Sequence, residues 1–209
     1  MLTSSIGKKT VMAISGAMLS LFLLAHMVGN TTAFFGREAF NGYAGHIHDL
    51  GGILKLLEAG LLFFLLVHAG VALLLYLENM QARPERYAVK KSSGSGLIAQ
   101  TMPYTGLAIL IFLIVHLTNF HFTDRTTPPS EMIREVLSRP EFALFYIFSV
   151  LAAALHISHG LWSLFQTLGL SHPRYNKLIM TGGIICGIAV GTVFVLIPVL
   201  AVIYSGFLL

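Results

Sequence analysis

Charged residues fall in clusters and leave five charge-free, strongly apolar runs, at residues 10–36, 59–77, 92–123, 142–173 and 178–209. Each approaches or exceeds the roughly 20 residues that an α-helix needs to cross a bilayer. No period-2 alternation of apolar and polar positions runs through them, so a barrel is not indicated and helix is the practical spanning structure. The pattern predicts an all-α integral membrane protein of one domain, residues 1–209. Five transmembrane helices are expected at about 8–35, 51–78, 97–122, 141–168 and 175–208. Two connections stand out. Residues 78–95 mix charge with Ser92-Ser93-Gly94-Ser95-Gly96 and read as a surface loop. Between the third and fourth helices, Pro128-Pro129 precedes a short amphipathic stretch, Ser130–Ser138. Ser130 is the expected N-cap, Pro140 ends the pattern, and the helix should lie over the ends of the bundle.

Composition agrees, with 56% hydrophobic and 11% charged residues. Basic residues give the orientation. With the N-terminus inside, the inner segments hold eight (Lys8, Lys9, Arg83, Arg86, Lys90, Lys91, Arg174, Lys177). The outer segments hold five (Arg37, Lys55, Arg125, Arg134, Arg139). The excess favours N-inside and C-outside. The net charge of +4 therefore reflects a basic inner rim. No aromatic-interleaved basic stretch suggests nucleic-acid binding. Lys8, Lys9 and the run up to Thr31-Thr32-Ala33 superficially resemble a signal peptide, but the run is long for one, and cleavage there would discard His26. The sole cysteine, Cys186, excludes an internal disulfide and reads as a small packing residue.

Four histidines change the picture: His26, His68, His116 and His156 each lie inside a different one of the first four apolar helices. Imidazoles in a membrane point to function, and four on separate helices suit two bis-imidazole sites, the ligation of two b-type hemes. Chain direction sorts them by depth. His26 lies about 22 Å beyond Val11 and His116 about 24 Å beyond Gln100, both on outward-running helices. On the inward-running helices, His68 lies about 15 Å before Glu78 and His156 about 18 Å before Leu168. His26 and His116 form an outer pair, His68 and His156 an inner pair. That split disfavours one four-ligand zinc site. His159, three residues after His156, is a geometric rival to it.

Other residues have candidate roles beside ordinary ones. His46, His48 and His121 sit at outer helix ends, as solvated histidines or as proton carriers. His172 reads as an inner surface residue. Glu58 could relay a proton to a reduced carrier or simply pair with Lys55, one turn away. A weak repeat relates Ser15-Gly16 with His26 to Thr105-Gly106 with His116, in each case eleven residues from hydroxyl to imidazole. That spacing puts both on one helix face about 16 Å apart. The small residues could serve a heme or merely helix packing.

Three stretches carry a family resemblance. They are Ser4-Ser5-Ile6-Gly7-Lys8-Lys9 through His26-Met27-Val28-Gly29-Asn30; Glu38-Ala39-Phe40-Asn41 with Tyr43; and His156-Ile157-Ser158-His159-Gly160-Leu161-Trp162-Ser163-Leu164. They resemble the five-helix diheme cytochrome b anchor subunit of succinate dehydrogenase and fumarate reductase, closest to the single-polypeptide type of bacterial menaquinone-linked enzymes. The resemblance implies axial ligands at His26 and His116 for an outer heme b, and at His68 and His156 for an inner one. It thereby favours His156 over His159. It further implies a multi-pass subunit of the bacterial cytoplasmic membrane with a cytoplasmic N-terminus, in contact with lipid. Its partners would be a cytoplasmic flavoprotein subunit holding FAD and an iron–sulfur subunit holding the clusters, with a dimer of the complex left open. Electrons would pass between that iron–sulfur subunit and menaquinone, within the respiratory chain and tricarboxylic acid cycle. Succinate chemistry itself would belong to the partners, since this chain has no flavin fingerprint or cysteine cluster. Some members carry a glutamate, proposed to conduct protons, two residues before the fourth-helix ligand; here that residue is Ala154. The alternatives are another respiratory cytochrome b anchor, which often places two ligands on one helix, or a heme-free anchor or transporter.

Overall fold

The computed structural model describes residues 4–82, 94–123, 126–204 and 206–208, without the side chains of 94–99. The expected loop basic residues Arg83, Arg86, Lys90, Lys91 and Arg125 lie outside the described residues. The protein is an all-helical bundle with five helices long and apolar enough to cross a membrane. These are α1 (Ser5–Asn30), α3 (Gly52–Gln81), α4 (Gly94–Phe120), α6 (Pro140–Thr167) and α7 (Asn176–Ile203). Two short helices, α2 (Arg37–His48) and α5 (Pro129–Leu137), lie between them. Large apolar side chains such as Leu56, Leu66, Phe148 and Ile188 are exposed on the long helices. Such a surface suits acyl chains rather than water.

The helix ends follow local chemistry. Ser4 caps α1, its hydroxyl accepting from Gly7 N–H at 3.1 Å. After α1 a 3-10 turn, Thr31–Phe35, leads to Gly36. Gly36 holds φ at 96°, a conformation that turns the chain into α2 and that only glycine adopts freely. The amphipathic pattern placed α5 correctly, but not its cap. Pro128 is the N-cap and Pro129 occupies the first turn, which leaves Ser130 inside the helix and fully buried. There Ser130 answers α2: its backbone N–H donates to Asn41 Oδ1 and its hydroxyl accepts from Asn41 Nδ2, both at 3.0 Å. Arg37 and Glu131 pair beside this contact at 2.6 Å. Ile133 and Leu137, on the same face of α5 as Ser130, join Ala33, Phe40, Tyr146, Ile197, Ala201 and Phe207 in the main buried cluster. That cluster closes the end of the bundle opposite the N-terminus, called the far end below.

Helices α6 and α7 make the most extensive contact, while α1 packs on α3 and α6, and α4 on α6. Glycines explain the first of these. A Cβ on Gly183 would stand 2.6 Å from the Ser158 carbonyl oxygen, and one on Gly187 would stand 2.6 Å from that of Ala154. A Cβ on Gly191 would meet the Ala154 Cβ at 3.3 Å. Small residues every fourth position thus let two backbones touch. Ala154 belongs to this contact and carries only a methyl group into it. At the N-terminal end, Lys8 on α1 pairs with Glu78 on α3.

Candidate functional site

The bundle brings the four intramembrane histidines together two by two. His26 on α1 meets His116 on α4, with ring centroids 6.1 Å apart and ring planes at 87°. His68 on α3 meets His156 on α6, at 6.4 Å and 71°. An iron between two imidazoles needs two bonds of about 2 Å, which with the rings puts the centroids about 6 Å apart. Both separations fit that requirement. Among the described residues no group of three or more His, Cys, Asp or Glu converges, so these imidazoles meet in twos.

The second pair lies nearer the N-terminal end and is hydrogen-bonded from behind. His68 Nδ1 is 3.1 Å from the Met12 carbonyl oxygen and 3.3 Å from Ser15 Oγ. His156 Nδ1 is 3.0 Å from Thr105 Oγ1. Each hydroxyl also lies within hydrogen-bond reach of a carbonyl of its own helix: Ser15 of Val11, 2.8 Å, and Thr105 of Met102, 3.1 Å. A carbonyl can only accept, and a hydroxyl that has given its proton away can only accept as well. Facing the Met12 carbonyl, His68 carries hydrogen on Nδ1, which leaves Nε2 with the free lone pair that a metal takes. Gly16 supplies room for His68, since an added Cβ would stand 2.9 Å from its Cε1; one on Gly106 would meet His156 Cε1 at 3.4 Å, an ordinary contact.

The first pair lies in the far half and is packed by aromatics. Phe22 stacks on His26 at 5.5 Å, and Phe194 of α7 approaches it at the same distance. Phe112, Phe120 and Tyr146 surround His116. Tyr146 is held by Asn119, whose amide donates to the phenol oxygen at 3.1 Å. The buried His116 Nδ1 has no hydrogen-bond partner among the described residues. An imidazole nitrogen inside this apolar cage, with another imidazole opposite, is a donor set suited to heme iron and poorly suited to water. Asn30 Nδ2 lies 3.4 Å from the His26 ring nitrogens. Gly29, one turn beyond His26, lies directly under the Tyr43 phenol, and any side chain there would overlap that ring.

The remaining candidates separate from these pairs. His159 packs edge-on against Trp162 at 5.5 Å, and the ring that meets His68 is that of His156. Glu58 does not pair with Lys55; it faces His121 across α3 and α4, at 3.9 Å. His46 and His48 are exposed on α2, and His48 Nδ1 donates to its own helix at Ala44 O. His172 is exposed and stacks on Tyr175. Helix α2 itself was not foreseen, nor were Met12, Asn30 and Phe194 as neighbours of the histidines. The repeat of Ser15-Gly16 and Thr105-Gly106 was visible, but the hydroxyls serve histidines on other helices rather than a group shared with His26 and His116.

No family model matches the sequence. Over 163 residues the chain is 29% identical to the succinate dehydrogenase cytochrome b558 subunit of Bacillus subtilis (strain 168), a stretch covering 77% of this chain and 78% of that protein.

Proposed function

We propose that this chain is the diheme cytochrome b anchor of a succinate:quinone oxidoreductase or quinol:fumarate reductase. The likeness to a succinate dehydrogenase cytochrome b subunit supports the assembly. The observation that carries the reading is the meeting of four half-buried imidazoles as two pairs, 6.1 and 6.4 Å apart. When bound, b-type heme supplies one-electron redox chemistry that no side chain here offers. The chain's residues provide the rest. His68 and His156 hold one heme, and His26 and His116 hold the other. Because Ser15 lies beside His68 and eleven residues before His26, the two levels are about 16 Å apart along α1. The apolar cage of Phe22, Phe112, Phe120 and Phe194 keeps water from the far level.

In this reading the far end serves menaquinone and the N-terminal end docks an iron–sulfur subunit and its flavoprotein partner on the cytoplasmic side. Glu58 and His121 place a carboxylate and an imidazole together at the far end, a suitable arrangement for proton exchange with a quinone headgroup. The test is a dithionite-reduced minus oxidised spectrum of the purified chain, with extracted heme quantified per polypeptide. Two b-type hemes per chain are expected. One heme would leave a histidine pair without its role. None, in protein shown to be inserted and supplied with heme, would support a heme-free anchor or transporter.

A further inference from the structure

We infer that Ser15-Gly16 and Thr105-Gly106 are a twice-used histidine seat that sets the tautomer and orientation of His68 and His156. The inference rests on the diheme reading above, and it assigns positioning residues to the level nearer the N-terminus. In each seat a hydroxyl lies within hydrogen-bond reach of a carbonyl of its own helix and of Nδ1 of the histidine opposite; with its proton on that carbonyl it offers an acceptor to Nδ1–H. Gly16 removes a side chain that would push the His68 ring off, since an added Cβ would stand 2.9 Å from it, while at Gly106 an added Cβ would make an ordinary contact with His156 at 3.4 Å. Acceptor and bare backbone are adjacent in sequence because one presses the ring edge while the other admits it. The seat on α1 receives a histidine of α3, and the seat on α4 receives one of α6. Each pair of long helices thus carries its own seat, and the sequence repeat marks the pairing.

Hydrogen bonds from the back nitrogen of a ligating histidine fix which nitrogen faces the metal and raise its basicity. The seats are unequal. His68 has two acceptors, Ser15 Oγ and the Met12 carbonyl. Among the described residues His156 has Thr105 alone. Loss of the Thr105 hydroxyl therefore costs more than loss of Ser15. Valine replaces threonine with nearly the same shape, so Thr105→Val removes the acceptor and leaves the packing.

The experiment compares wild type, Ser15→Ala, Thr105→Val and Thr105→Ser as purified full-length chains. Heme per chain, the midpoint potential of each heme and the low-spin electron paramagnetic resonance signals are measured. Thr105→Val should weaken retention of one heme by about 10- to 100-fold. The heme that remains bound in a partly loaded sample should titrate at a higher potential with an altered resonance, while the other heme stays unchanged. Ser15→Ala should show a smaller effect on the same heme, and Thr105→Ser should restore wild-type behaviour. Full retention with unchanged potentials and resonances in Thr105→Val would overturn the seat while leaving the diheme reading intact. Loss that Thr105→Ser does not repair would also overturn it, since shape rather than the acceptor would then be responsible. Absence of heme from the wild type would instead remove the diheme reading itself.

Discussion

At the scale of single residues, the four histidines were legible because an imidazole in an apolar helix is conspicuous, and helix rise converts sequence position into depth. Depth alone suggested His26 with His116 and His68 with His156, and the rings lie in those pairs at 6.1 and 6.4 Å. What surrounds them was not legible. Met12 acts through its carbonyl oxygen, which every residue has, so no side-chain signal could name it. Glu58 looked paired with Lys55 because i,i+3 neighbours share a helix face, yet the partner it faces, His121, comes from another helix. His159 could not be separated from His156 by angle, because about 60° around a helix is within the width of an interior face. These placements give a direct prediction. Alanine at His26, His68, His116 or His156 should each reduce the heme count from two to one per chain, because one remaining imidazole holds the iron poorly. His159→Ala should retain both. Pyridine hemochrome assay of the five purified variants decides it, and a His159→Ala chain with one heme would exchange the roles of His156 and His159.

At the scale of elements, the five long helices followed from the spacing of charged residues, since a span must keep charge out of the hydrocarbon. Helix α2 escaped because it is short and balanced between polar and apolar residues, with Gly42 and Gly45 and no capping side chain. It is held by tertiary contacts instead, through Phe40 in the far-end cluster, Asn41 on Ser130, and Tyr43 on Gly29. The same tertiary contact explains why Ser130, a good cap by propensity, is used for α2. The ladder Gly183, Gly187, Gly191 was readable as small residues every fourth position, but that spacing does not say which helix is the partner. In the structure the partner is the stretch of α6 around Ala154 and Ser158. Gly187 is the tightest rung, since any side chain there meets both the Ser158 hydroxyl and the Ala154 carbonyl. Gly187→Leu should therefore force α6 and α7 apart and destabilise the folded chain by about 1–3 kcal/mol. Thermal unfolding in detergent measures this directly. Gly182→Leu, one residue away where a Cβ meets nothing within 4 Å, is the control and should behave as wild type.

At the scale of the whole molecule, the charges of the connecting segments give the expected orientation. Along the sequence, the segments expected inside hold eight basic residues and two acids, Glu78 and Glu85, and those expected outside hold five and seven. Lys and Arg resist translocation, whereas acids weigh little, so the basic count is the part of this contrast that sets topology. The short helices also belong to one end: α2 and α5 and the main buried cluster close the far end, while the N-terminal end has no such cover among the described residues. In the proposed function the N-terminal end receives the iron–sulfur subunit, and that docking requires this end to face the cytoplasm. Cysteine labelling tests this in intact cells. Cys186→Ser removes the sole native thiol, and single cysteines then replace His46 on α2 or Leu170 between α6 and α7, both exposed. A membrane-impermeant maleimide should label His46→Cys from outside intact spheroplasts and Leu170→Cys only in inverted vesicles. The opposite result would turn the bundle over. The histidine pairs would keep their geometry, but the level held by His68 and His156 would then lie on the side away from a cytoplasmic iron–sulfur subunit, and the proposed direction of electron exchange would fail with it.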